Sequence, residues 1–534
     1  MRQKTVNFLS TAFYLIFGLL FLSLLLRLMV RRSAPHPVPL AMAAVLVLVL
    51  MALAYQFLGR HENFLNRHYP RLLAGFLVCS GIIQLASANI LRFQPVFDLG
   101  AVYHGAIEWV NTGTFAHYYD YYYYFPNNLG GMAFLAAFFS LARGLGITDY
   151  FMVASVVNGL CVVATILTTA TICKKLLGVK QAVFALLLFA VSLPFWFMAA
   201  VFYTDSLSIL FPTLILFLYL KVGEGGTIRR QIIWIVLLGA SAVLGMLIKF
   251  TVAIMVIAIV IDSLFHRPLK QTGMLAGISI AIICAGFFSF QAMIYPAHLD
   301  RDTAKVYNTP YLHWVMMGLQ GEGAYNAGDY EFTRSFTDPD ERDAALVKEV
   351  KQRLTTLGPS GLYKLFWAKT TRSFSCGTYN QSDFLDDNPE RLTWLHSFLL
   401  YDGENYPAYR AVCQAIFLAI LALMDLSALQ EVFEWKQKDT PVKGVKKPKR
   451  KGNAESAGTP ARAGGEPARR PTWYYLAPQV AVFGAMLFFA GWETSGRYIT
   501  NYIPVILLSA VMGIDCWSEL VGAALNKAKK RPAA

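Results

Sequence analysis

Four charged side chains stand out for where they fall along a mostly apolar chain: Asp98, Asp205, Lys249 and Arg497. Asp98 opens the stretch 97–131, FDLGAVYHGAIEWVNTGTFAHYYDYYYYFPNNLGG, which holds seven tyrosines and ends in Pro126, Asn127 and Asn128. Such aromatic density marks a chain lying where bilayer meets water. An acid at that boundary is costly unless it has a task or a partner. Asp205 sits in WFMAAVFYTDSLS, Lys249 in MLIKFTV between two apolar runs, and Glu493 with Arg497 in GWETSGRYITNY. A carboxylate can take the proton of an attacking hydroxyl. Lysine and arginine can stabilise the charge on a departing phosphate. Together they suit moving a sugar from a phosphate-linked lipid to a hydroxyl at the membrane edge. Neither standard Gly-rich phosphate loop occurs, and this chemistry needs no nucleotide-sugar pocket.

The elements that must hold these residues are membrane spans. The chain has 534 residues, 56% of them hydrophobic and 15% charged. Its mean hydropathy is +0.45. A soluble protein carries about 25% charged residues. Apolar runs of bilayer length fall near 7–28, 38–58, 72–92, 150–173, 180–201, 205–221, 232–248, 250–265, 273–295, 407–428, 473–491 and 499–521. An all-α polytopic membrane protein with about twelve spans is expected. The first run is too long for a cleaved signal peptide, so it is expected to stay as a span. The net charge of +14 follows from basic inner loops and asks for no nucleic-acid partner. The seven cysteines lie mostly inside apolar runs, with neither a disulfide framework nor paired metal spacing.

Charge sorts the loops. If 129–146 does not cross, most basic clusters, from Arg60, Arg67 and Arg71 to the tail Lys527, Lys529, Lys530 and Arg531, share one cytoplasmic face. That segment is therefore expected to lie in or near the interface. Arg27, Arg31 and Arg32 are left outside, against the rule. The expected organisation is an N-terminal hairpin (1–60), a membrane module (61–295) with its first outer loop (93–149), and an outer α-rich domain (296–405). A span (406–428), a disordered basic cytoplasmic linker (429–472), a C-terminal hairpin (473–521) and a basic tail (522–534) follow. Within 436–470 there are 11 Lys and Arg and no apolar periodicity. The outer stretch holds about half of the chain's 33 acids. In it, 338–358 reads as a helix capped by Asp338 or Asp340 and stopped by Gly358.

Local explanations compete at each position. Asp98 suits the cap of a helix at 99–111, and Asp205 the cap of the span from Ser206. Lys249 can snorkel to headgroups, Arg497 can pair with Glu493, and the tyrosines can form an interfacial belt. His104 reads as a polar face residue, and His313 with Trp314 as packing. Capping and snorkelling leave unexplained why so many charges reach one outer face.

The segments FDLG at 97–100, YYYYFPNNLGG at 121–131, FYTDS at 202–206, IKFT at 248–251 and ETSGRY at 493–498 occur in this order. In that order the chain resembles the GT-C superfamily of integral membrane glycosyltransferases, and within it the protein O-mannosyltransferase and ArnT-like branch. The outer stretch 309–330 is similar to the outer domain of bacterial relatives. The resemblance implies a GT-C fold, a polyprenyl-phosphate sugar donor and an inverting transfer outside a bacterial cytoplasmic membrane. The acceptor would be a glycan, a lipid or a protein, with membrane lipids as neighbours. It implies Asp98 as base, with Asp205 beside it orienting the sugar or sharing a divalent cation, Mg or Mn. Lys249 and Arg497 would hold phosphate, and Glu493, Tyr103, His104, Tyr124 and Asn127 would line or support the substrate site. Many members carry an Asp-Glu pair where this chain has Asp98-Leu99, so Glu108 or Asp120 supplies a second acid, or none does. The rival expectation is a transporter or flippase, whose charges usually lie at the bilayer midplane between paired halves.

Overall fold

The computed structural model describes residues 2–30, 37–386, 388–439 and 476–529. Within them the chain is all-α, with a single isolated β-bridge between Phe93 and Pro389. The long apolar runs form helices because hydrocarbon leaves backbone N–H and C=O groups only each other as partners. In order these are α1 (Arg2–Val30), α2 (Pro37–Arg60), α3 (Glu62–Ile90), α4 (Phe97–Thr112), α5 (Tyr119–Tyr124), α6 (Leu129–Gly144), α7 (Tyr150–Leu176) and α8 (Val179–Val191). Then come α9 (Thr204–Leu207), α10 (Leu210–Gly223), α11 (Ile228–Ile248), α12 (Ala253–His266) and α13 (Leu269–His298). The segment 299–405, expected outside and named the outer segment for that expectation, carries α14 (Arg301–Tyr307), α15 (Tyr311–Met317), α16 (Ala327–Arg334), α17 (Pro339–Phe374), α18 (Ser382–Leu385) and α19 (His396–Leu399). Last come α20 (Tyr406–Asp439), α21 (Leu476–Gly491) and α22 (Ile503–Lys529).

All twelve expected runs are helical, but fewer reach bilayer length. Among the described residues nine helices are long and apolar enough to cross, or ten if α8 and the 3-10 turn Leu193–Ala200, bent by 66°, count as one span. The other two are the shorter apolar helices Phe250–His266 and Leu476–Gly491, which pack on each other. Helix α6, the segment expected at the interface, has 16 residues. At 1.5 Å per residue that is about 24 Å, short of a hydrocarbon core of about 30 Å.

Two boundaries move. Helix α20 continues past 428 to Asp439, since no glycine or proline interrupts 429–439, and α22 carries the basic tail helically to Lys529. The remainder of the expected linker, 440–472, lies outside the described residues, as do Arg31 and Arg32. Arg27 is described, and its departure from the charge rule has a partner. Its guanidinium lies 4.5 Å from the Trp367 ring centroid and donates to the Tyr363 hydroxyl at 3.2 Å, both on α17. The aromatic faces of α17 thus meet a cation at that helix end.

Close packing sets the core. Helices α20 and α22 lie along each other, and α1 and α2 pack against them. Gly513 admits the Leu423 carbonyl, which a Cβ would meet at 2.0 Å. Small residues at such crossings are what bring helices together in lipid. The outer segment has its own supports. Asp338 caps α17 by accepting N–H groups from Asp340 and Glu341, and Gly358, at φ 55°, breaks that helix where expected. Arg353 forks onto both oxygens of buried Asp329 at 2.7 and 2.8 Å.

Candidate active site

The first loop is braced from below. Its helix α4 begins after Val96, and Phe97 takes a left-handed φ of 50°. For a bulky side chain that conformation is uncommon, and the surroundings must hold it. Asp98 thereby enters the first turn rather than the cap. Its carboxylate accepts the Tyr121 hydroxyl at 2.8 Å and the Tyr203 hydroxyl at 3.5 Å. Asn128 is buried and donates to the Tyr121 oxygen at 2.5 Å. Burial, and then the neighbouring charges, push the Tyr121 phenol well above its ordinary range, so it stays a donor.

Asp205 arrives from another element, the single turn α9, and does not cap it. Its side chain is 5% exposed and forms ion pairs with Lys249 and with Arg497, the latter at 3.7 Å. Lys249 follows α11 in extended backbone, φ −149°. Arg497 lies in the 3-10 turn Gly496–Tyr502 before α22. Both cations also face aromatic rings. Lys249 Nζ is 4.7 Å from the Tyr498 centroid, and the Arg497 guanidinium is 5.4 Å from those of Tyr203 and Phe384. Tyr203 bridges the halves: it is bonded to Asp98, lies against Arg497 and feels the charge of Asp205. A small recess opens beside Asp205 and Arg497, walled by Tyr203, Tyr379, Gln381 and Phe384. Asp98, Asp205, Lys249 and Arg497 thus come together through tertiary packing, and the capping and snorkelling explanations do not hold.

The other expected residues scatter. Glu493 is buried but does not pair with Arg497; it accepts the Tyr498 hydroxyl at 2.6 Å. Burial pushes its carboxyl up, against the pull of Tyr498 and the nearby cations. Tyr103 packs between Phe139 and Phe202, away from any substrate surface, because α4 turns it into the core. His104 bonds the Pro95 carbonyl at 3.1 Å, and burial pushes its imidazole down, so it braces the loop as a neutral ring. Asn127 is exposed; its neighbour Asn128 is the one turned inward. Tyr124 faces the outer segment, with the Arg334 guanidinium stacked 3.6 Å from its centroid. Glu108 pairs with His117 at 3.0 Å and Asp120 is exposed, so neither joins Asp98 as a second acid. His313 packs as expected: it is buried, meets Thr333 at 2.6 Å, and burial pushes it down to about 4.

Tyr121, Asn128, Tyr203 and Tyr498 were missed by reading the sequence. The tyrosine run and the NN pair were visible, but not which members turn inward. Lys369 was missed too. It is fully buried on α17, donates to the Gly318 carbonyl at 2.9 Å, and lies within electrostatic reach of Glu493.

The donor set fits a divalent cation poorly. Among the described residues no three His, Cys, Asp or Glu side chains gather to hold an ion. Asp205, one of the two expected ligands, already faces two cations. A hard metal ion takes six or more oxygens, and a third positive charge here would be repelled.

No curated protein matches the chain. Among solved structures it is similar to the archaeal oligosaccharyltransferase AglB from Archaeoglobus fulgidus, solved in complex with an inhibitory peptide and a dolichol-phosphate. That similarity has 12% identity and a TM-score of 0.30, over 83% of this chain and 56% of that one. The chain thus spans little more than half the length of that protein. The family model for conserved hypothetical integral membrane proteins matches residues 4–446, most of the length, and the chain belongs to that family.

Proposed function

We propose that this protein is a GT-C-type membrane glycosyltransferase that moves a sugar from a lipid-phosphate donor to an acceptor hydroxyl. The transfer takes place at the extracytoplasmic face of a bacterial cytoplasmic membrane. The observation that carries this reading is the division of labour between two carboxylates, Asp205 on the recess and Asp98 joined to it through Tyr203. Asp205 is neutralised by Lys249 and Arg497, while among the described residues the side chains bonded to Asp98 are the phenol hydroxyls of Tyr121 and Tyr203. Asp205 is thereby committed to holding the cations, and Asp98, aimed by hydroxyls, is the carboxylate left to meet an acceptor.

The step then follows. Asp98 takes the proton of the acceptor hydroxyl as that oxygen bonds the anomeric carbon. The bond from that carbon to the phosphate oxygen breaks, and its electron pair leaves with the lipid phosphate. Lys249 and Arg497 receive that charge, which Asp205 has kept them positioned to meet. Rings of Tyr203, Phe384 and Tyr498 exclude water around them. Asp98→Asn in proteoliposomes supplied with a polyprenyl-phosphate sugar should lower transfer by about 10²–10⁴-fold, the usual share of a general base. Binding of the donor lipid should persist. Undiminished transfer would remove Asp98 as the base.

A second reading, a transporter or flippase, has its own observation. Asp425 is buried within the span Tyr406–Val432, and its Oδ1 lacks a hydrogen-bond partner. A carboxylate inside a span is a common mark of ion-coupled transport. Donor-independent uptake that Asp425→Asn abolishes and Asp98→Asn leaves intact would favour it.

A further inference from the structure

A second, shallow recess opens between the first loop and the outer segment, with Tyr124, Tyr307, Asn308 and Arg334 on its walls. Its two sides are tied, since the Thr309 N–H donates to the Tyr124 carbonyl at 3.1 Å. We propose that it is an acceptor subsite for one residue of an anionic glycan, set by Tyr124 and Arg334. This assignment rests on the glycosyltransferase reading and names its acceptor class.

Two features support it. The first is position. Tyr124 and the Asp98 partner Tyr121 are both on α5, three residues apart. Side chains at that spacing are neighbours on one helix face. Tyr330, against which Arg334 lies, is within electrostatic reach of Asp98, whereas the cations sit across Tyr203 from Asp98. An acceptor sugar held there would offer its hydroxyl to Asp98 while the donor phosphate meets the cations. The second is the cation. Arg334 is held between two rings, 3.6 Å from the Tyr124 centroid and 4.8 Å from that of Tyr330, with one N–H on the Tyr330 hydroxyl. Guanidinium has five N–H donors, and among the described residues no carboxylate pairs with Arg334. A planar, pre-oriented cation with spare donors suits a carboxylate or phosphate. The half-exposed Tyr307 ring, 5.7 Å from Tyr124 centroid to centroid, adds a face for the sugar's C–H surface.

The test is equilibrium binding of a galacturonic acid trisaccharide to the full chain in nanodiscs, with neutral maltotriose alongside. Saturable binding of the acidic sugar is expected, weakened about tenfold or more by Arg334→Gln, as for a lost charged hydrogen bond, and by Tyr124→Ala. Arg334→Lys should lie between. Unchanged melting temperatures would show that the variants fold. Equal binding of maltotriose, no saturable binding, or full binding by Arg334→Gln would each overturn the assignment. Acidic-sugar binding lost in Arg334→Gln, with no transfer from any lipid-phosphate donor, would instead sink the transferase reading and leave the recess a glycan site.

Discussion

Asp205 carries two cations, and removing it strands both. A buried charge left without its partner costs about 3–5 kcal/mol, and the Asp205 side chain is 5% exposed. Asp205→Ala should therefore lower the melting temperature in detergent sharply, whereas Asp98→Asn, which replaces a carboxylate bonded only to hydroxyls, should lower it little. A double-mutant cycle between Asp205 and Arg497 should give a coupling of roughly 0.5–3 kcal/mol, as for other residues in contact. Additive effects would mean that the pair does not form. Tyr121→Phe removes the shorter hydrogen bond to Asp98. It should reduce transfer less than Asp98→Asn, because Tyr203 still reaches the carboxylate.

At the scale of elements, two contacts decide where the cations stand. Helix α6 starts at the LGG that closes the aromatic run, and there Gly130 lies on the end of α11, just before Lys249. A Cβ at Gly130 would meet the Leu247 carbonyl at 2.0 Å, and backbone cannot step aside as a side chain can. Gly130→Ala should push α11 away and separate Lys249 from Asp205. A cross-link between cysteines placed at the α6 and α11 ends should lose yield, with donor affinity falling alongside. The second contact is Lys369. Its stem passes Gly323, and its ammonium meets the Gly318 carbonyl, while the Glu493 and Thr494 N–H groups bond the carbonyls of Trp314 and Gly323. The outer segment thereby grips the strip that carries Arg497. Burial pushes Lys369 down to about 8 from 10.5, with Glu493 opposing. Between those pH values the unfolded chain holds a proton that the folded one has released. Stability from this group therefore rises with pH across that window. Lys369→Met should flatten that rise in melting curves taken from pH 8 to 10.5.

For the whole molecule, the testable matter is sidedness. Glu224 gathers Lys175, Lys221 and Arg230, and Lys180 meets Asp515. Apart from Asp515, which lies midway along α22, these stand at the helix ends away from the outer segment, as basic inner loops require. A cysteine at Gly225 should react with an impermeant maleimide only after the membrane is opened, and one at Ser335 should react in intact cells. Reaction of both from one side would break the topology on which the site depends.

What the chain by itself determined is its solvent and its punctuation. Runs of apolar residues must be helices in hydrocarbon, so all twelve could be read, and Asp338 with Gly358 bounded a helix through local chemistry alone. Length was less legible. A run's apolar extent does not say whether it bends, as 179–200 does, or stays short of the bilayer, as Leu476–Gly491 does. The four charges that meet in the fold were also legible, since a charge at the end of a span is expensive and so conspicuous. Their partners were not. Which of Asn127 and Asn128 turns inward, and whether Arg497 chooses Glu493 or Asp205, depends on elements hundreds of residues apart meeting in space. A sequence records the energetic cost of each charge, but only the packed chain brings the opposite charge that offsets it.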